Sequence, residues 1–364
     1  MKKSIAIVIL LIIAIPSIQT NAQDNSIKSV NVTVYNDNLG VVKEIREINL
    51  KKGISDIKIT GVAERIDPTS VHIKLNGTVL EQNYQYDLVS LHKILNKYID
   101  SEIEMISDKE LISGTLLSVS NKSVVVRKKD GGLLLLPDFN KYQFSVKSLP
   151  EGLITRPTLL WKVDSDKQGK QDIELSYQTG GMKWHAEYVA VLNDNDTKMD
   201  LNAWVSIMNN SGADYKNAKL KVVAGDVNRI AYDVRAIRVD GLMKREAEDS
   251  FEERAFFEYH IYDLQRPTTI SHNEIKQISL FEAENISVSK KYIYRSSAYG
   301  NSGKVAVYLE FDNSKKNSLG MPFPAGKVRL NKRDGGSLEF IGEDMIEHTP
   351  KDEKIKLKAG DAFD

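Results

Sequence analysis

Ile173-Glu174-Leu175-Ser176-Tyr177-Gln178-Thr179-Gly180-Gly181-Met182-Lys183-Trp184-His185-Ala186-Glu187-Tyr188-Val189-Ala190-Val191-Leu192 sets two period-two runs on either side of a Gly-Gly turn. Ile173, Leu175 and Tyr177 alternate with polar residues before the turn, and Trp184, Ala186, Tyr188, Ala190 and Leu192 share one face after it. A period of two is the signature of a strand with one face in a core. The second run stops at Asn193-Asp194-Asn195-Asp196 and the pattern resumes with Leu201, Ala203, Val205 and Ile207. After Asn209-Asn210-Ser211-Gly212 come Leu220 and Val222, before Gly225. Long strands and turns at this spacing predict a β-sandwich over 150–240.

The same period governs the chain upstream. Val30, Val32 and Val34 alternate with Asn31, Thr33 and Tyr35, Ile57 and Ile59 precede Gly61, and Val71, Ile73 and Leu75 precede Asn76-Gly77. Asn-Gly between two such runs is a hairpin signal, so 23–86 reads as an N-terminal β domain. Over 87–100 the period turns helical: Leu88, Leu91, Leu95 and Tyr98 fall on one face with Ile94 and Ile99 beside them. This predicts one helix of about three turns, with Asp87 as its N-cap and Tyr86 stapled on Leu91. Residues 101–149 return to short strands, joined by tight turns at Asn121-Lys122 and Asp130-Gly131-Gly132. That pattern fits a small inserted barrel of the SH3-like or Sm-like kind, serving as a structural insert.

Downstream, 241–255 is dense in charge (Lys244, Arg245, Glu246, Glu248, Asp249, Glu252, Glu253) and reads as a linker or loop. Strand patterns fill 256–364, among them Val305, Val307, Leu309 and Phe311, then Val328 with Leu330, and last Ile355 with Leu357. This is a C-terminal β-sandwich, short of strands where the sequence stops at Gly360-Asp361-Ala362-Phe363-Asp364, and it is expected to be incomplete. The fold class is all-β: multidomain β-sandwiches with one short helix and a small inserted barrel.

The first 22 residues carry an address. Lys2-Lys3 is a positive n-region, Ile5 to Ile15 an aliphatic run, and Pro16 precedes Thr20-Asn21-Ala22, with small residues before Gln23. This pattern is that of a secretory signal peptide, too short for a stable bilayer anchor. No later segment approaches a membrane-spanning apolar run, so the mature chain is expected to be periplasmic or extracellular with no transmembrane segment. Of the 50 basic residues Lys2 and Lys3 lie in the signal, and 48 remain against 50 acidic ones. Such balance supplies no field for nucleic acid. The basic runs at Arg127-Lys128-Lys129 and Lys315-Lys316 sit beside turn residues, as solvated turn edges. With no cysteine, disulfides, thiolate zinc sites, a cysteine nucleophile and a lipidated N-terminus are all excluded.

Motifs for chemistry are scarce. There is no phosphate loop, nucleophile elbow, zinc-protease helix or EF-hand loop, and no two of the six histidines lie three to five residues apart. No metal and no cofactor is expected. His185 and Glu187 are the candidate site residues: on a strand they face the same way, opposite Trp184 and Tyr188, and a carboxylate orients a histidine as general base. The plainer reading is a polar strand face over a core of Trp184 and Tyr188, since nothing in the sequence supplies a nucleophile. Asp194-Asn195-Asp196 offers oxygens to Ca²⁺ but lacks further ligands at regular spacing, so a hairpin turn is the simpler reading. His260 reads as a sheet-packing residue. Tyr84, Tyr86, Tyr177, Tyr188, Tyr292 and Tyr294 could form a sugar-stacking platform, although their alternation favours core and cross-strand packing.

Several blocks carry a family resemblance. They are Glu81-Gln82-Asn83-Tyr84-Gln85-Tyr86-Asp87-Leu88, Leu149-Pro150-Glu151-Gly152-Leu153-Ile154-Thr155-Arg156-Pro157-Thr158-Leu159, the stretch Tyr177 to Tyr188, and Tyr215-Lys216-Asn217-Ala218-Lys219-Leu220 through Asn228. Glu258-Tyr259-His260-Ile261-Tyr262, Leu264-Gln265-Arg266-Pro267-Thr268-Thr269 and Leu319-Gly320-Met321-Pro322-Phe323-Pro324-Ala325-Gly326 complete the set. Across nearly the whole mature length the chain resembles a bacterial domain-of-unknown-function family of exported β-rich proteins related to mucoidy inhibitor A. The resemblance implies no catalytic residues, because the family has none established. It implies an effect on surface polysaccharide through the name of the relatives, and a longer C-terminus.

The function expected on these grounds is that of a non-catalytic envelope protein that binds protein or glycan. One alternative is an envelope peptide or polysaccharide hydrolase using His185 and Glu187; another is a structural assembly protein. The sequence leaves the oligomeric state open.

Overall fold

The computed structural model describes residues 26–107, 110–225, 252–256, 259–294 and 304–363. Residues 1–22, read above as a signal peptide, and 241–251 of the charged stretch lie outside the described residues. In chain order the strands are β1 (Ser26–Tyr35), β2 (Gly40–Leu50), β3 (Gly53–Thr60), β4 (His72–Lys74) and β5 (Thr78–Gln85), followed by helix α1 (Leu91–Lys97). Next come β6 (Glu102–Ile106), β7 (Leu111–Val119), β8 (Val124–Lys128), β9 (Leu133–Leu136) and β10 (Gln143–Ser145). Then follow β11 (Thr158–Ser165), β12 (Gly169–Thr179), β13 (Met182–Leu192), β14 (Lys198–Asn209) and β15 (Tyr215–Ala224). The remainder are β16 (Glu252–Phe256), β17 (Tyr259–Asp263), β18 (Thr268–Ile270), β19 (Glu274–Ser287), β20 (Ser289–Ile293), β21 (Ala306–Asp312), β22 (Gly326–Asp334), β23 (Ser337–Ile346) and β24 (Lys354–Asp361).

These strands form five sheets, and the all-β class stands. The first sheet runs β16-β17-β15-β1-β2-β12-β4, with β18 paired to β15. The second runs β19-β14-β13-β22-β23, and two three-stranded sheets (β3-β11-β5 and β20-β21-β24) extend the layers. Pairing is antiparallel except for β1 with β15 and β13 with β22. Sequence segments interleave within the sheets: Val32 lies opposite Leu220, Leu175 opposite Glu44, and Tyr188 opposite Val328. One buried cluster runs from Val30 to Leu357 through the first and second sheets. The segments 23–86, 150–240 and 256–364, divided in the sequence, therefore share one core, because alternation marks which face is apolar and not which strand is the neighbour.

The two sheets are tied by aromatic side chains from one face of β13. Trp184 is buried, donates its indole N–H to the Val223 carbonyl at 2.9 Å and meets the Tyr262 ring edge-on at 6.1 Å. Tyr188 is buried, donates to the Pro324 carbonyl at 2.7 Å and stacks on Phe323. Each polar tip is satisfied inside the core, as burial of such a group requires. Residues 102–145 form a separate five-stranded sheet, β10-β6-β7-β8-β9, over a core of its own that includes Leu95, Ile103, Met105, Leu116, Val126 and Phe139.

Five expectations are corrected. The insert is an open sheet, because β9 and β10 do not pair with each other. The helix is about two turns, capped by Ser90, whose Oγ accepts from the Lys93 N–H; Asp87 lies before it in an ion pair with Lys93. Tyr86 stacks on Tyr84 at 5.6 Å and does not staple the helix. Asn76-Gly77 is not a hairpin: β4 pairs with β12 and β5 with β11, in different sheets. Gly77 has φ +139° and a Cβ there would sit 2.3 Å from the Asp164 carbonyl oxygen, so the turn is shaped to lie on β11. The charged stretch also ends earlier than read, since Glu252–Phe256 is a strand on β17.

At Gly180-Gly181 the chain leaves the first sheet (β12) and enters the second (β13). Gly181 has φ +79°, its carbonyl accepts from the Asn210 N–H at 2.6 Å, and a Cβ would lie 2.5 Å from the Asn210 carbonyl oxygen. We expect Gly181→Ala to cost at least about 2 kcal/mol, from positive φ and a backbone clash together. Urea denaturation checks this, and an unchanged midpoint would show that the corner tolerates a side chain.

Candidate functional site

Alternation along β13 sends Trp184, Ala186 and Tyr188 inward and leaves His185 and Glu187 on the outer face of the second sheet. The side chain of His185 is 48% exposed and that of Glu187 is 19% exposed. Their nearest atoms, His185 Nε2 and Glu187 Oε1, are 3.4 Å apart, a long and weak contact. Glu187 is instead held from the neighbouring strands. Its Oε2 accepts from Gln277 Nε2 at 2.7 Å and from Ser206 Oγ at 3.2 Å, and Arg329 approaches Oε1 at 3.8 Å.

Ser206 is the hydroxyl that the sequence did not supply. It lies opposite His185 in the β13–β14 register. Its proton goes to Glu187, however, its oxygen accepts from Gln277 at 3.0 Å, and the side chain is buried. Nucleophilic catalysis needs the hydroxyl on the histidine and the carboxylate behind it. Here the order is serine, carboxylate, histidine, so His185 does not contact the hydroxyl it would activate. The described grooves lie elsewhere, one between β4 and β5 near His72 and Gln82, another between 263–266 and 279–282. His185 stands on a sheet face.

Trp204 was missed. It sits opposite Glu187 in register, half-buried, with Gln277 on the next strand and Arg329 across the sheet. The signal was present: with Leu201, Ala203, Val205 and Ile207 inward, Trp204 falls at an outward position, where a large aromatic calls for explanation.

The other candidates resolve into structure. In Asp194-Asn195-Asp196 the Asp196 carboxylate is held by Lys332 at 2.5 Å and Lys290 at 2.9 Å. Burial pushes its pKa up, but the two lysine hydrogen bonds win and hold it below the usual aspartate value. Asp196 thus fastens the β13–β14 turn to β20 and β22. Among the described residues no three histidine or carboxylate groups gather at metal-binding distance. His260 lies in the β17 ladder between Ala224 and Ala255. Of the tyrosines, Tyr177 and Tyr188 are core residues, Tyr84 packs against the core and stacks on Tyr86, and Tyr86, Tyr292 and Tyr294 are exposed.

The sequence also gave no warning of a buried ion pair on β2. Glu44 and Arg46 face the core, with Arg46 Nε and Nη2 each 2.7 Å from Glu44 Oε2 and Nη1 donating to the Thr60 carbonyl at 2.7 Å. Burial raises the Glu44 pKa despite Arg46, and burial lifts the nearby Tyr215 hydroxyl to about 12. Tyr215 in turn contacts Ser211 Oγ at 3.0 Å, and Ser211 is bonded to Asn209. This enclosed string has the character of a core polar network, which holds only while every partner is present.

The chain was compared with protein-family models, curated proteins and solved structures, and none of them matches.

Removing one partner of a buried pair strands the other charge, so Arg46→Met is expected to cost about 3–5 kcal/mol. The double variant Glu44→Leu/Arg46→Met should recover most of that loss. Chemical denaturation of the three proteins measures it; equal losses in single and double variants would show that the pair itself stabilises the fold.

Proposed function

We propose that this protein is an exported, non-catalytic component of the bacterial cell envelope that binds glycan through the outer face of its second sheet. The observation that carries the reading is the state of Glu187: its carboxylate is engaged by Ser206 and Gln277, on a sheet face with no hydroxyl delivered to His185. What that face does offer is a half-buried indole, Trp204, surrounded by side chains able to donate and accept hydrogen bonds: His185, Gln277, Asn202 and Arg329. An aromatic plane bordered by neutral and mixed-charge polar groups suits a polyhydroxyl ligand. Export rests on the n-region, apolar run and small-residue site of residues 1–22. The family resemblance supports the same setting. No helix among the described residues is long and apolar enough to cross a membrane.

Two measurements test the reading. Purified protein is expected to show no turnover of cell-wall peptides or envelope polysaccharides; turnover abolished by His185→Ala and by Glu187→Ala would establish the hydrolase alternative. In titrations against purified envelope polysaccharide, Trp204→Ala should weaken binding about tenfold or more, a loss of about 1.4 kcal/mol. Unchanged affinity in a variant with an unchanged melting curve would remove the face from the proposal.

A further inference from the structure

The free edge of the insert sheet has an unusual composition. Strand β9 is Leu133-Leu134-Leu135-Leu136, bounded by Gly132 and Pro137, and it pairs only with β8. Leu134 and Leu136 pack on the insert core, while Leu133 and Leu135 point outward and are 57% and 67% exposed. Among the described residues the other sheet-edge strands carry at least one charged side chain, the three-residue β10 and β18 excepted; examples are Asp56 and Lys58 on β3, Lys74 on β4, Glu81 on β5, Lys276 on β19, and Lys290 and Lys291 on β20. Charged edges are the usual protection against strand addition. β9 lacks it.

The backbone of β9 shows what such an edge would accept. Lys128 N–H donates to the Gly132 carbonyl at 2.8 Å, and the register places Val126 opposite Leu134 and Val124 opposite Leu136. By antiparallel alternation, Leu134 and Leu136 exchange their backbone bonds with β8, and the N–H and C=O groups of Leu133 and Leu135 point to the open side. We propose that β9 is a homodimer edge, pairing antiparallel with β9 of a second copy about a two-fold axis at Leu134. In that register Leu133 lies opposite the partner's Leu135, and Leu135 opposite the partner's Leu133. All four outward backbone groups of each strand are then used. The exposed leucines meet on the outer face, and Leu134 lies opposite the partner's Leu134. A shift by one residue would set core-facing against outward-facing side chains, which strand pairing forbids. No charge on β9 opposes the match, and Pro137, having no N–H, limits its length. The strand is self-complementary in backbone and side chain, and an isologous contact requires that property. With four residues a side the dimer is a weak one.

The test uses the purified protein, expressed with its own N-terminal segment, in sedimentation velocity from low to high micromolar concentration. Wild type should pass from monomer toward dimer. Leu135→Lys, at a position exposed enough to leave the melting curve unchanged, should weaken dimerisation about tenfold or more. A wild type that stays monomeric throughout would overturn the proposal and leave β9 as an edge for a strand of another protein. A dimer indifferent to Leu135→Lys would place the contact elsewhere, overturning it too. Because the chain has no cysteine, Leu133→Cys and Leu135→Cys report the register directly: opposed Cα atoms about 5.5 Å apart lie within disulfide reach. A mixture of the two should cross-link and neither alone should; cross-linking of either by itself would refute the two-fold at Leu134.

Discussion

The corner at Gly180-Gly181 is the constraint on which the two main sheets depend. There β12 leaves one layer and β13 begins the other, with no room for a side chain at Gly181. The Gly180 N–H donates to the Arg65 carbonyl, the Gly181 N–H to Asn38 Oδ1, and the Gly181 carbonyl accepts from Asn210. Three separate loops are thereby fixed to one point. Gly181 alone can take φ +79° without cost there, and the approach of Asn210 removes the space a Cβ would need. Once the corner is set, Met182 is in the core, and strict alternation decides the inward or outward role of every residue to Leu192.

That alternation is why the core and the proposed binding face are coupled. Trp184 and Tyr188 reach through the sandwich to Val223 and Pro324, and the intervening positions are left for His185 and Glu187. The same rule on β14 turns Ala203 and Val205 inward and Trp204 outward. The face is assembled from four strands, since β13 has β14 and then β19 on one side and β22 on the other. Its polar groups are largely satisfied by one another. That favours a surface that recognises a ligand over one that transforms it.

Much of the fold was legible because burial leaves a period in the sequence. The inward set of β13 and the runs Leu201 to Ile207 and Leu309 to Phe311 could be read directly, and these residues are buried. What failed had a physical cause in each case. Asn76-Gly77 has the chemistry of a tight hairpin, but its shape is spent on contact with Asp164 and Ser165. Asp87 and Ser90 are both competent caps, and the choice fell to Ser90 because the Val89 N–H and Asp87 carbonyl are taken by Ile154. Glu44 and Arg46 share a face with Val42, Ile48 and Leu50, but their charge hides that role in linear order, and the layer packed over β2 makes them a buried pair. The candidate site was half legible: its histidine and carboxylate were found, whereas Ser206, Gln277 and Arg329 were invisible because cross-strand neighbours leave no mark in linear order.

By itself the sequence determined the strand-rich class, the faces of many of the strands and the absence of cysteine chemistry, because each depends on local composition and period. Tertiary structure decided which strands are neighbours, that segments from across the chain share one core, and that Glu187 is held by groups from two other strands. It also decided that β9 lies at an edge and not within a closed barrel. Pairing is a choice among apolar faces of nearly equal affinity for one another, and it is settled by corners, close backbone contacts and buried partners that exist only once the chain has folded.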